Sequence, residues 1–385
     1  MVYRANDRNL DRVVAIKEYM PTAIAYRQDE RAVAVRSPAD AKAYAAGLAA
    51  FVDEARLLAR FEHPSLAKVL HFWEANGTAY MVMPLYKGVT LKQARSFLDG
   101  PPPERWLRKV MWPILQALRQ LHEHHVLHRD ISPDNILLQD MGPPILLDLG
   151  SARKAVVDRT QRHTAVLKVN YAPIEQYDQG GAFREGAWTD IYALAAVVYS
   201  LVRNEPPQPA TYRAVRDHMP SMVKVARTMR DHYGRHYSRE FAVAIDRALR
   251  LDPADRPQTV NAFIDVLHLK PPAEMASFDW WCEIDEPDPA LAPARRWAFW
   301  RKRAAAGRGE QQTRQTLNAW RKTGQHDSIW QDFDQSRGNT RAEPSTLESA
   351  WAPTLKRTPK VSRRFGPRAG LAALLTTAAL VGLLY

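Results

Sequence analysis

The chain has 385 residues and a formal net charge of +12, from 54 Lys and Arg against 42 Asp and Glu. That length exceeds one compact core, so two lobes with extensions are expected, and the lone cysteine, Cys282, excludes an intramolecular disulfide and fits a reducing compartment. The basic residues thicken towards the C-terminus ahead of an apolar run, which suits a membrane surface better than a specific nucleic acid.

The polar, charged start MVYRANDRNLDR does not read as a secretory signal. Val13–Lys17 (VVAIK) reads as a strand with Val13, Ala15 and Lys17 on one face. Ala41–Phe61 is rich in Ala and Leu at helical spacing and carries Asp53 and Glu54. Past His63-Pro64, strands are expected at Ala67–Trp73 and Ala79–Met83, joined by a turn at Asn76-Gly77. Pro101–Pro103 breaks the chain before Glu104–His125, an amphipathic helix with Trp106, Val110, Ile114, Leu118 and Leu121 inward. It ends in LHEHHVLHRD. Zinc would need those histidines on one coherent face, whereas His124 and His125 suit the negative end of the helix dipole.

Ile136–Leu138 and Ile145–Leu147 are short apolar runs bounded by turn residues, which predicts a hairpin across Gln139–Pro144. A polar segment, Ser151–Asn170, then leads into YAPIEQY. WTDIYALAAVVYSLV reads as a buried helix, and Phe241–Leu251 and Val260–Leu269 as amphipathic helices. From Lys270 periodicity disappears, and residues 270–368 read as a basic, tryptophan-containing, disordered linker. Within it RRWAFWRKR (Arg295–Arg303) mixes aromatics and cations as an interfacial membrane segment or a docking peptide would. Ala369–Tyr385 is uninterruptedly apolar and follows Lys360, Arg363, Arg364 and Arg368. As a helix it would span about 25 Å of a ~30 Å hydrocarbon core, with a buried C-terminal helix as the competing reading. Basic flanks stay cytoplasmic, which would turn the lobes towards the cytoplasm.

The chemistry gathers between His128 and Gly150. The predicted hairpin would bring Asn135 and Asp148 to one rim, and oxygen ligands held that way suit Mg²⁺. Asp130 would face the same space. H-R-D-x-x-x-x-N followed by D-x-G resembles the catalytic and metal-binding loops of protein kinases, and the chain is similar to bacterial eukaryotic-like (Hanks-type) serine/threonine protein kinases. That resemblance implies an α+β, bilobal fold: a partial β-rich N-lobe over 1–84 lacking its first strand, and a helical C-lobe over 85–269. It also implies ATP and Mg²⁺ as cofactors, protein hydroxyls as acceptors, and membrane tethering through 369–385 at a bacterial inner membrane.

By the same resemblance Asp130 accepts the acceptor proton, Asn135 and Asp148 hold Mg²⁺, and Lys17 paired with Glu54 positions the phosphates. Val2, Ala15, Lys17, Met83, Pro84, Tyr86 and Leu137 would surround the nucleotide. Met83 takes the gatekeeper position, with Pro84–Tyr86 as the hinge. Thr160 and Thr164 are the candidate phosphorylation sites, with Arg129 as the cationic receptor. Glu175 in A-P-x-E would pair with Arg256, and Asp190 would anchor the catalytic-loop backbone.

Two departures stand out. The glycine-rich loop has no counterpart beyond Val2, so either the start lies upstream or nucleotide binding is impaired, and the second keeps a membrane-anchored pseudokinase as the alternative. A small-molecule phosphotransferase is opposed by the YAPIEQY segment. The second departure is Ser132, where such kinases carry a lysine that touches the γ-phosphate; Lys168 stands where they carry threonine. An exchange of the cation from one position to the other is expected.

Overall fold

The computed structural model describes residues 1–29, 31–149, 168–178 and 183–284. Thr160, Thr164, the RRWAFWRKR stretch and Ala369–Tyr385 lie outside the described residues. The chain opens with β1 (Val2–Asp7) and β2 (Arg12–Glu18), then a small hairpin of β3 (Ala25–Gln28) and β4 (Ala32–Val35). Helix α1 (Ala41–Leu58), β5 (His71–Ala75) and β6 (Thr78–Pro84) complete the first lobe.

Its main sheet is antiparallel in the order β1-β2-β6-β5. Strand β6 buries Ala79, Met81 and Met83 in the period-2 pattern of a covered face, while central β2 buries the adjacent Val14 and Ala15 on its two faces. Asn76 and Gly77 both take positive φ, 55° and 74°, as a tight two-residue hairpin turn requires. A Cβ on Gly77 would lie 2.6 Å from the Val33 carbonyl oxygen, so the turn also packs too closely for any other residue. The strand expected from Ala67 begins only at His71. Ala67 N donates instead to Leu146 O at 3.1 Å and Leu146 N to Ser65 O at 2.9 Å, so this stretch bridges to the second lobe.

The second lobe starts with β7 (Gly88–Thr90), α2 (Leu91–Ser96) and α3 (Glu104–Glu123), followed by β8 (Ile136–Gln139) and β9 (Ile145–Leu146). β7, β8 and β9 form a small sheet, with Ile136 opposite Leu146 as the expected hairpin requires. The five residues predicted to face inward on α3 are all buried. Helix α4 (Ala187–Arg203) is buried from Thr189 to Val202. Around it stand α5 (Ala210–Val215), α6 (Met222–Tyr233), α7 (Arg239–Ala248) and α8 (Val260–Leu267). Side chains of Ser221, Ser238 and Thr259 cap the last three of these helices, satisfying otherwise orphaned N–H groups.

The linker expected from Lys270 does not begin there. Phe278, Trp280 and Ile284 are buried, the last two in a short helix α9 (Trp280–Ile284). Trp106 Nε1 donates to Trp280 O at 2.8 Å, and Gly142 N to Phe278 O at 2.9 Å. One turn of helix is too short to register as periodicity, yet two large aromatics suffice to bind it to α3. Trp280→Ala should lower the unfolding free energy by about 3–5 kcal/mol, read from urea denaturation of the purified chain.

Candidate active site

Asp190, in the first turn of α4, has no solvent exposure. Its Oδ2 accepts from His128 N at 2.9 Å and lies 2.8 Å from His122 Nε2, and its Oδ1 accepts from Arg129 N at 2.8 Å. Burial alone would raise its pKa. Hydrogen bonds from His122 and the Arg129 N–H hold it below the usual carboxylate range. Asp190 thereby fixes the loop between α3 and β8 in an unfavourable shape: Arg129 sits at φ 66°, a conformation costing about 1–3 kcal/mol unless its surroundings enforce it. Two further contacts do so. Gln176 Nε2 donates to Arg129 O at 2.9 Å, and Arg129 Nε donates to Glu185 Oε2 at 2.5 Å.

His128 is buried with both ring nitrogens engaged. Asp130 N can only donate, so Nδ1 (3.3 Å) is the acceptor; Leu147 O can only accept, so Nε2 (3.0 Å) carries the proton. Burial pushes the His128 pKa below the ordinary histidine value, despite Asp190 and Asp130 nearby. The ring is therefore a neutral strut between the Asp130 loop and the segment before Asp148.

Asn135 Nδ2 donates to Asp130 O at 2.7 Å and to Asp130 Oδ2 at 2.6 Å, while Leu147 N donates to Asn135 O at 2.8 Å. Asp148 follows at φ 48°, a left-handed turn that aspartate tolerates better than most residues. Its Oδ1 accepts from Lys17 Nζ at 2.7 Å, and the same ammonium donates to Glu54 Oε1 at 3.2 Å. Lys17, Glu54, Asp130, Asn135 and Asp148 are all buried. Asn135 Oδ1 is buried with no hydrogen-bond partner among the described residues. A hard oxygen left open beside a carboxylate fits a divalent cation such as Mg²⁺. Among the described residues no cluster of three or more His, Cys, Asp or Glu could hold a metal, so the histidines at the end of α3 do not form such a site.

Of the residues expected around a nucleotide, Ala15 faces Met83 across the β2–β6 ladder and Val14 faces Pro84. Val2 pairs with Lys17, and Leu137 is buried on β8. Tyr86 Oη accepts from Lys68 N at 2.9 Å. Lys168 Nζ donates to Ser132 Oγ and lies 3.7 Å from Asp134 Oδ2, while Lys92 Nζ lies 3.0 Å from Asp134 Oδ1. Glu175 and Arg256 form a two-pronged pair, at 2.7 and 3.1 Å, with both side chains fully buried. Sequence reasoning missed Glu185, Lys92, Asp134, His122 and Gln176. Asp134, inside the HRDISPDN run, carried the one available signal, a carboxylate between Pro133 and Asn135. His122 lies in the LHEHHVLHRD run but nothing there points to Asp190, and Glu185, Lys92 and Gln176 lie far from that loop in sequence.

The protein kinase domain family matches residues 1–266. The solved structure of PpkA-294 in its apo form is 44% identical, with a TM-score of 0.62, covering 69% of this chain and 90% of that chain. The DNA damage-responsive serine/threonine-protein kinase RqkA of Deinococcus radiodurans is 31% identical over 214 residues, 54% of this chain and 28% of that protein. Serine/threonine-protein kinase PrkC of Bacillus subtilis is 31% identical over 208 residues, again 54% and 28%. This chain thus spans less than a third of the length of these two relatives.

Two outcomes test the geometry. Glu175→Ala, which strands a buried guanidinium, should destabilise the chain by about 3–5 kcal/mol in chemical denaturation. His128 is held neutral, so its native pKa lies below the unfolded value of about 6.5. As pH falls below that unfolded value the unfolded chain binds a proton that the native chain excludes, and stability drops. Melting temperatures between pH 8 and about pH 5 should fall accordingly, and His128→Gln should flatten that dependence.

Proposed function

Since this chain belongs to the protein kinase domain family, in its bacterial serine/threonine form, we propose that it transfers the γ-phosphoryl group of ATP to hydroxyls of protein substrates. The observation that carries this reading is the convergence of Asp130, Asn135 and Asp148 on one buried locus, with the Lys17–Glu54 pair reaching Asp148 from the other lobe. In the proposed reaction the acceptor oxygen bonds to the γ-phosphorus as the bond from that phosphorus to the β–γ bridging oxygen breaks. The hydroxyl proton passes to the Asp130 carboxylate, and ADP leaves. Asn135, donating to that carboxylate, orients it. Lys17, held by Glu54, is placed to bind the α- and β-phosphates. Mg²⁺, held by Asn135 Oδ1 and Asp148, would supply charge neutralisation on the phosphates when bound.

Lys168 takes the γ-phosphate role that Ser132 lacks the charge to perform. The contact between its ammonium and the Ser132 hydroxyl supports that exchange. The reading extends to autophosphorylation in signalling, with Thr160 and Thr164 as candidate sites. It also takes Ala369–Tyr385 as a single membrane-spanning helix in a bacterial inner membrane, the kinase lobes facing the cytoplasm and the basic flank at the lipid surface.

The decisive assay is transfer of radiolabelled phosphate from ATP to a protein acceptor by the purified chain. Asp130→Asn should reduce it by about 10²–10⁴-fold, the usual contribution of a general base. Lys168→Ala should lower kcat by about 10²–10³-fold, and Ser132→Lys in that background should recover part of the loss. An inactive wild type would end the kinase reading; an unchanged Lys168→Ala would end the exchange. For the tether, the full chain should sediment with membranes and a chain ending at Lys360 should not.

A further inference from the structure

We propose that Glu185 is a positioning residue for this reaction: it gives Arg129, from within the chain, the anionic partner that a phosphate on the activation loop would otherwise supply. The inference rests on the kinase reading above and makes Asp130 placement independent of phosphorylation at Thr160 or Thr164.

Arg129 precedes Asp130 directly, so whatever fixes Arg129 sets where the Asp130 carboxylate stands. Its N–H is held by Asp190 and its carbonyl by Gln176, and its guanidinium Nε is held by Glu185 at 2.5 Å. The Arg129 and Glu185 side chains are about 35% and 16% exposed, so this pair is shielded more than an ordinary surface ion pair. A carboxylate offers a guanidinium the same kind of charge-assisted acceptor as a phosphate oxygen. What phosphorylation adds elsewhere is the charge at the right place. Here the charge is present without modification.

Glu185 is also well supported. It lies five residues before Asp190, the group that holds the Arg129 backbone. The intervening turn is fixed by Thr189 N donating to Gly186 O at 2.9 Å and Gly186 N donating to Thr189 Oγ1 at 3.1 Å. One short segment therefore grips both the backbone and the side chain of Arg129. A phosphate arriving later would meet a cation already neutralised, so loop phosphorylation would mark the protein or recruit a partner rather than assemble the site.

The test uses the full chain, treated with a protein phosphatase, with initial rates of phosphoryl transfer to casein as readout. Dephosphorylated wild type and the Thr160→Ala/Thr164→Ala variant should keep activity within about threefold of untreated wild type. Glu185→Gln should lose about tenfold or more in kcat with the KM for ATP within about twofold, and Glu185→Asp should recover most of it. Because the two side chains act as one unit, Glu185→Gln combined with Arg129→Ala should be no worse than the poorer single variant. A loss of tenfold or more on dephosphorylation, or a Glu185→Gln variant as active as wild type, would overturn the inference, the first by making Glu185 a blocker that phosphate displaces. An inactive wild type would instead remove the kinase reading on which the inference stands; an active wild type indifferent to Glu185→Gln removes the inference alone.

Discussion

A single buried carboxylate holds the loop that carries Asp130. Asp190 accepts the backbone N–H groups of His128 and Arg129 and contacts the His122 ring, with no solvent exposure. Buried charges are normally costly, and this one is tolerated because every direction it faces is a donor. The donors come from the end of α3 and the loop beyond it, the acceptor from α4. Helices α3 and α4 therefore cannot pack as they do without also bending the loop into its left-handed turn at Arg129. The shape of the candidate site is in this sense a by-product of the core.

Across the lobes part of the coupling is electrostatic, added to a hydrophobic cluster that takes in residues of both. Lys17 lies on a strand of the first lobe, Glu54 on α1 and Asp148 just past β9. One ammonium reaches both carboxylates. In a buried setting such contacts are strongly dependent on distance, so displacement of α1 or rotation of the lobes would break one of them and strand its partners. Ser65 and Ala67 reinforce the same joint through backbone bonds to Leu146, two residues before Asp148. The position of Asp148 is thus reported to both lobes at once.

The sequence made legible those elements whose signals are local. VVAIK, the Asn76-Gly77 turn, the amphipathic α3 and the apolar α4 each carry a pattern within a dozen residues, and each appears where that pattern places it. So do HRDISPDN and the hairpin that brings Asn135 towards Asp148, because a short loop leaves few alternatives. The β3–β4 hairpin and α9 escaped notice. Their residues are neither long nor periodic enough, and only contact with Gly77 or Trp106 makes them ordered. Residues 67–70 are apolar enough to suggest a strand, but Ala67 N donates to Leu146 O and Lys68 N to Tyr86 Oη, so the strand starts only at His71. Within the candidate site, Asp130, Asn135 and Asp148 are singled out by their spacing, while Glu185, Gln176 and Lys92 are not, since nothing near them in sequence announces a partner.

That division has a physical cause. A group that is to exchange a proton or bind a metal must stand within a few tenths of an ångström of one place; Asp130, Asn135 and Asp148, for which those roles are proposed, are accordingly carried by one loop and the hairpin that follows it. A group that supplies only charge is constrained by distance, and any segment that passes nearby can carry it. Lys168 reaches the Ser132 hydroxyl from a different segment, and Glu185 reaches Arg129 from the turn before α4. Ordering a long side chain costs about 1–2 kcal/mol, so such a transfer works best from backbone that is already held. Both segments meet that condition: Lys168 O accepts from Tyr171 N at 2.7 Å and Ala172 N at 3.1 Å, and Gly186, next to Glu185, is bonded to Thr189 in both directions. Where the backbone is pinned for other reasons, a charge can be supplied from a different segment while Asp130 stays where it is.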